Sequence, residues 1–384
     1  MRIAFDAKRA THNRTGLGNY SRFILNTLAK YNPENEYLLY TPSLGKSDLR
    51  SKVSKHESIV FKYPNGFWNK IGMKSIWRSY GVTFALNKEP MDIYHGLSNE
   101  IPFGLKKNKI KSIVTIHDLI FIRYPEYYKP IDRMIYNFKF KKACQKADHI
   151  IAVSEMTKKD IVKYYNIDEN KISVVYQGCD ASFKKIVPDS FKETIRYKYN
   201  LPDKFILSVG TIESRKNLLL AVKALKNTKQ KHHLVAIGKP TPYLEQVKKY
   251  IHTNGLEDQV TFLHDVPFTD LPAIYQMANI FVYPSFFEGF GIPIIEALYS
   301  GIPVIAATGS CLEEAGGPDS LYVDPLNDKE LSALIDRISE NPTLRESMIQ
   351  NGFQYVKQFE PENIISKLEN IYQTMSSINR ICKN

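Results

Sequence analysis

The chain has 384 residues, 43% of them hydrophobic, which is ample for two domains with separate cores, and no apolar stretch approaches bilayer-spanning length. Four cysteines (Cys144, Cys179, Cys311, Cys382) stand far apart with no C-x-x-C pair, which excludes a disulfide framework or zinc site as the expectation and favours a reducing cytoplasm. The net charge of +12 comes from the first half: residues 1–175 carry 30 Lys and Arg against 16 Asp and Glu, whereas 176–384 carry 22 against 24.

The predicted elements begin with a strand at 2–5, which meets Asp6 too early for a secretion signal. The loop Thr15-Gly-Leu-Gly-Asn-Tyr20 then opens a helix over 18–31. Its glycines suit an ordinary turn or a phosphate held at a helix start, and Ser21 stands where the dinucleotide fingerprint needs its third glycine. Strands follow at 37–40, 59–61 and 93–95. Between the last two, 69–88 reads as a helix with Lys70, Lys74 and Arg78 at four-residue spacing among Ile71, Ile76, Trp77 and Tyr80. That pattern fits a basic-aromatic helix on anionic lipid, or a helix packed on the sheet with its lysines solvated. Lys106, Lys107, Lys109 and Lys111 precede a strand at 113–117, which ends on His117-Asp118. A histidine there either caps the strand or donates to a sugar hydroxyl, with Asp118 placed to orient it. A helix over 133–147 carries Lys139, Lys141, Lys142 and Lys146, and strands at 150–154 and 172–176 complete the series.

After a looser stretch the alternation restarts, so the joint falls within 177–203. Strands are predicted at 205–210, 233–238, 260–263, 280–283, 303–307 and 321–323. Apolar strands separated by helices indicate parallel sheets covered on both faces, and ligands of such sheets bind beyond the strands' carboxyl ends. Directly after the first strand of this set comes Gly210-Thr-Ile-Glu-Ser-Arg-Lys-Asn217. Arg215 and Lys216 before a helix suit a diphosphate, which a bidentate fork, a point charge and a helix start can hold together; a solvated basic turn is the plainer reading. The run Glu288-Gly-Phe-Gly-Ile-Pro-Ile-Ile-Glu296 places two carboxylates around a Gly/Pro turn, where they can accept hydrogen bonds from paired hydroxyls. The loop 307–317 adds Ser310 and Glu314. A last helix over 362–381 has no strand after it and is expected to pack back on the first domain as a brace.

In this order the motifs V-G-T-I-E-S-R-K-N (209–217) and E-G-F-G-I-P-I-I-E (288–296), with T-G-L-G-N-Y (15–20) and T-I-H-D-L (115–119), resemble the retaining family-4 (group 1) glycosyltransferases. The resemblance extends to their mannosyltransferase-like branch, which builds bacterial surface polysaccharides. It implies the α/β GT-B fold: two Rossmann-like, doubly wound parallel-sheet domains facing an interdomain cleft. The domains would be 1–180 for the acceptor, joined by the helix 362–384, and 181–361 for the donor.

It also implies roles. Arg215 and Lys216 would hold the donor diphosphate and stabilise the leaving group, Glu296 would accept from the ribose, and Glu288 with the backbone of Phe290-Gly291 would contact the donor sugar. His117 would face the transferred sugar, Gly16 would approach the diphosphate, and Ser310 and Glu314 would stand around the donor. The N-terminal loop is poorer in glycine than that of many relatives, which weakens the assignment of Gly16. No metal or cofactor is implied, and the chain has no D-x-D motif in these segments. The substrates would be a nucleoside-diphosphate sugar, with GDP-mannose favoured, and a glycan or lipid-linked acceptor. The protein would be cytoplasmic, in peripheral contact with anionic membrane through its basic half, and would bind no nucleic acid. Competing readings are a GT-B epimerase or phosphorylase, a nucleic-acid or polyanion binder without catalysis, and a catalytically dead sugar-binding relative.

Overall fold

The computed structural model describes residues 1–53, 55–64, 68, 76–105 and 110–381, with side chains as far as residue 377. The chain divides into two compact units, Met1–Gly178 with Phe359–Asn384, and Cys179–Gln358.

Among the described residues the first unit holds a seven-stranded sheet. Its strands are β1 (Arg2–Asp6), β2 (Glu36–Tyr40), β3 (Ile59–Lys62), β4 (Ile93–Gly96), β5 (Lys111–Ile116), β6 (His149–Ala152) and β7 (Ile172–Val174). They lie in the order β3-β2-β1-β4-β5-β6-β7, and every pairing is parallel. The order reverses between β1 and β4, where crevices form beyond strand ends in such sheets. Helices bury both faces: Gly16–Tyr31 brings Ile24, Leu25 and Leu28 onto Ile3, Phe5 and Tyr37, while Pro130–Lys146 covers the β5–β6 side with Phe140, Ala143 and Cys144. The C-terminal helix Pro361–Ile381 returns to this unit, where Ile364, Ile365, Leu368 and Tyr372 join the same core. Tyr372 is anchored further by His95, whose Nδ1 lies 2.7 Å from its hydroxyl.

The second unit has β8 (Ile206–Val209), β9 (Leu234–Ile237), β10 (Val260–Leu263), β11 (Ile280–Tyr283), β12 (Val304–Ala307) and β13 (Leu321–Val323). Their order is β10-β9-β8-β11-β12-β13, again parallel throughout, with the reversal between β8 and β11. Central strands β9, β11 and β12 are buried along their whole length, as a sheet covered on both faces requires. Strand ends differ from the sequence expectation by about two residues or fewer, the usual uncertainty of termini.

The helix expected over 69–88 is corrected in part. Lys70, Ile71 and Lys74, like Lys106, Lys107 and Lys109 downstream, lie outside the described residues. The remainder is a π-turn, Trp77–Gly81, followed by the short helix Val82–Leu86. Arg78 is no lipid-facing cation: its side chain is only 12% exposed and pairs with Asp6 and Glu100. Buried Asp6 and half-buried Glu100 hold it charged, well above the ordinary arginine value despite desolvation. Trp77 is buried, whereas Ile76, Tyr80 and Phe84 are exposed.

Candidate functional site

The reversal point of the second sheet gathers the strongest sequence motifs. After β8 the chain passes Gly210, with φ +153°, forms the one-turn helix Ser214–Lys216, and enters Leu218–Leu225 through Asn217 at φ +55°. Positive φ suits glycine, and asparagine tolerates the left-handed conformation better than most residues. Asn217 Nδ2 donates to the carbonyls of Pro284 (3.1 Å) and Pro325 (2.7 Å), so it fastens together the loops that follow β8, β11 and β13. Phe286 N–H donates to the Arg215 carbonyl at 2.9 Å, closing the same junction.

That junction brings Glu288 between the two cations. Arg215 Nη1 stands 2.8 Å from Glu288 Oε2, and Lys216 Nζ stands 2.6 Å from Oε1. Arg215 also donates to the Phe287 carbonyl (2.6 Å) and to Glu213 (2.7 Å), and Lys216 donates to the Tyr283 hydroxyl at 2.6 Å. Burial alone would raise the Glu288 carboxyl, but Lys216 and Arg215 outweigh it and hold it at about 2. The cations stay charged for the reciprocal reason: both are raised against desolvation by Glu288. Among the described residues Lys216 spends two of its three N–H donors, on Glu288 and Tyr283.

Glu296 lies at the start of the second turn of the helix Ile292–Tyr299 and behaves oppositely. Tyr275 donates to its Oε2 at 2.9 Å, but burial dominates and the carboxyl rises to about 7. A ladder of stacked rings, Tyr275–Phe281–Tyr283, runs between the two glutamates at centroid spacings of 5.4 and 5.9 Å. Neither tyrosine contact was legible in the sequence; the only signal was a tyrosine at the carboxyl end of a predicted strand.

The other expected residues fall into two groups. Phe290 is buried, and Gly291 (φ +151°) starts the helix that carries Glu296; a Cβ on Gly291 would sit 3.0 Å from that of Ala315. The Cys311 thiol lies 2.8 Å from the Phe290 carbonyl and 3.0 Å from that of Glu288, joining the loop after β12 to the same turn. Ser310 is buried and turned toward the Leu312 N–H at 3.4 Å, while Glu314 is half-buried and its carbonyl accepts from Tyr355. Ser285, fully buried after β11, has an Oγ with no hydrogen-bond partner among the described residues.

Gly16 and His117 belong to the first unit. Gly16 opens the helix Gly16–Tyr31 with open space around its Cα, whereas a Cβ on Gly18 would fall 1.9 Å from the Asn13 carbonyl. The loop therefore needs Gly18 for packing and leaves Gly16 sterically unconstrained. His117 follows β5, stands edge-on to Tyr20 at 4.6 Å, and places Nε2 2.9 Å from the Leu97 carbonyl. That partner fixes Nε2 as the protonated nitrogen and leaves Nδ1 an acceptor. Burial lowers the imidazole to about 4, so it is neutral at physiological pH. Asp118 Oδ1 accepts from the Ile120 N–H (3.1 Å), and the Leu97 carbonyl orients the ring.

Two doubly wound parallel-sheet units, the second with a charged cluster at its reversal point, define the GT-B class of α/β protein. Residues 15–183 match Glycosyltransferase Family 4 and residues 191–355 match Glycosyl transferases group 1; the chain belongs to this glycosyltransferase family. It is 29% identical to the O-antigen chain mannosyltransferase B of Escherichia coli, over 98% of this chain and 100% of that protein. It is 31% identical to the O-antigen chain mannosyltransferase RfbU of Salmonella typhimurium, over 65% of this chain and 66% of that protein. A crystal structure of Anabaena HepE in complex with UDP and glucose superposes with a TM-score of 0.75 over 97% of this chain and 100% of that one; at 18% identity this likeness concerns the fold.

Proposed function

We propose that the protein transfers a hexosyl unit, mannosyl in our reading, from a nucleoside-diphosphate sugar to a glycan or lipid-linked acceptor in surface polysaccharide assembly. The observation that carries this is the convergence of Arg215 and Lys216 on Glu288 at the reversal point of the second sheet. The O-antigen mannosyltransferases among the relatives support the choice of sugar and pathway class; GDP-mannose is our reading of the donor.

In this reading Arg215 and Lys216 hold the diphosphate and stabilise it as the glycosidic bond to the anomeric carbon breaks. Fixed charges in a buried site do this without reorganising as the leaving group develops, an effect of about 3–4 kcal/mol for one such donor. Glu288 keeps two like charges side by side and so preorganises them. A nucleophilic role is disfavoured, because both its oxygens are engaged and its carboxylate is held at about 2, which makes it a weak base. The acceptor oxygen then attacks from the face the diphosphate leaves, its proton passes to the departing phosphate oxygen, and configuration is retained. Glu296 accepts from the ribose hydroxyls, the Phe290-Gly291 turn meets the donor sugar, and Ser310 and Glu314 shape the surrounding loop. His117 offers Nδ1 to the transferred sugar, and the N–H groups near Gly16 approach the diphosphate. The reaction needs no metal or other cofactor, since the leaving-group charge is met by side chains. Work at the inner face of the cell membrane, through the basic first unit, completes the proposal.

The test is a donor-hydrolysis panel of GDP- and UDP-sugars with purified protein, run with and without chelator. Turnover of one nucleotide sugar, with the α-anomeric product of an α-linked donor, is expected. Absence of turnover together with stabilisation by oligonucleotide alone would reverse the reading in favour of a nucleic-acid binder.

A further inference from the structure

The first unit contains a cavity of about 220 Å3 between the segment 100–105, which follows β4, and the carboxyl half of the helix Pro130–Lys146. Its walls are mostly apolar, formed by Ile101, Pro102, Phe103, Leu105 and Ala143, with Ser79 and Glu100 at one side. Its rim is cationic: Lys139, Lys142 and Lys146 also line it, and their spacing places them on one helical face. The segment is fastened at Phe103, whose N–H donates to the Ser79 carbonyl at 2.8 Å and whose carbonyl accepts from Thr83 Oγ1 at 2.7 Å.

The lysines are not equivalent. Lys139 pairs with Glu100 at 3.3 Å, and Glu100 is held in turn by Arg78. Lys142 and Lys146 are exposed and make no ion pair among the described residues. On the adjoining face of the same helix, Ile131 and Met134 (each 68% exposed), Ile135 and Phe138 form a solvent-facing stripe at i, i+3, i+4 and i+7. The stripe runs into Lys141 and Lys142, so a hydrocarbon surface and a cation cluster meet at the mouth of the cavity. A free sugar would leave most of its hydroxyls unpaired against these walls, and a nucleic acid would use the lysines while leaving the cavity empty. The complement to an apolar cavity with two uncommitted cations at its edge is a hydrocarbon chain ending in phosphate.

We propose that this cavity seats the chain of a phosphate-headed lipid, with Lys142 and Lys146 on its phosphate. The site would hold the lipid end of the acceptor, and in that respect it rests on the function proposed above.

The experiment is calorimetric titration of the full chain with dodecyl phosphate below its micellar concentration, beside inorganic phosphate and dodecyl maltoside. Saturable one-to-one binding of dodecyl phosphate is expected, with both controls at least about tenfold weaker, and a further loss of about tenfold or more in K142E/K146E. Equal binding of inorganic phosphate would reduce the site to a surface anion patch, and equal binding of dodecyl maltoside to a detergent-accepting one; either overturns the proposal. So does an unchanged affinity in K142E/K146E, two exposed positions where folding is not at stake. A dimer seen by sedimentation, lost in K142E/K146E and accompanied by no dodecyl phosphate binding, would make a second copy the occupant and overturn it as well. Donor turnover by the parent protein is scored separately. Turnover without dodecyl phosphate binding sinks the cavity alone, and binding without turnover sinks the transferase reading alone.

Discussion

Tyr275 donates its hydroxyl hydrogen to Glu296 Oε2 at 2.9 Å, yet burial prevails and the carboxyl titrates at about 7. The folded value stands above the ordinary 4.5 of a glutamate. The protonated form therefore contributes stability that is complete below pH 4.5 and is lost as pH rises through 7. A ribose diol would donate to the ionised form and so act against that preference.

Nucleotide binding should consequently release a proton and tighten with pH, by about tenfold per unit below 7 and levelling above it. Calorimetry in buffers of different ionisation enthalpy measures the release, and Glu296→Gln supplies the baseline for the nucleotide's own titration. Removing the tyrosine hydrogen bond in Tyr275→Phe should move the carboxyl, and the binding profile with it, to higher pH. A pH profile unchanged in Glu296→Gln would remove Glu296 from the ribose.

Glu288→Ala leaves Arg215 and Lys216 buried without their shared partner, and should cost about 3–5 kcal/mol of stability in denaturant titration. Donor turnover should fall in parallel, since the two cations repel and separate. Wild-type turnover in this variant would show that Glu288 has no part in the reaction.

Lys216→Ala and Arg215→Ala should each lower kcat for donor hydrolysis by about 100- to 1,000-fold, with a smaller change in KM, because leaving-group charge develops only in the transition state. Arg215→Lys should recover little, since lysine cannot span Glu288, Glu213 and the Phe287 carbonyl with one planar fork. A rise in KM with kcat intact would recast both residues as ground-state binders.

Two glycines in one loop should behave differently. Gly18→Ala drives a Cβ into the Asn13 carbonyl and is expected to lower the melting temperature by several degrees, whereas Gly16→Ala meets open space and should leave it within about 1 °C. If Gly16→Ala nevertheless weakens donor turnover, the added methyl is obstructing a ligand. Unchanged turnover would leave Gly16 as an ordinary helix start.

The alternation of apolar runs and helical patterns made the parallel sheets readable, and the motifs at strand ends marked where to look. The segment 69–88 shows the limit of such reading. Its lysine and arginine spacing resembles a membrane-facing helix, but Arg78 turns inward because Asp6 and Glu100, brought close by the ends of β1 and β4, hold it there. His117 was correctly placed at a strand end, while its orienting partner, the Leu97 carbonyl, is a backbone group that no side-chain pattern announces.

The two glutamates of the run 288–296 mark the same division. The sequence by itself determined that acids, basic residues and glycines follow β8 and β11, because strand periodicity and turn chemistry are local properties of the chain. Only the tertiary structure decided that Glu288 lies between Lys216 and Arg215 and is held at about 2, while Glu296 is buried beside Tyr275 and rises to about 7. The reason is physical: a carboxylate's charge state depends on the solvent it has lost and the charges within a few ångströms. Here those charges arrive from a different strand end.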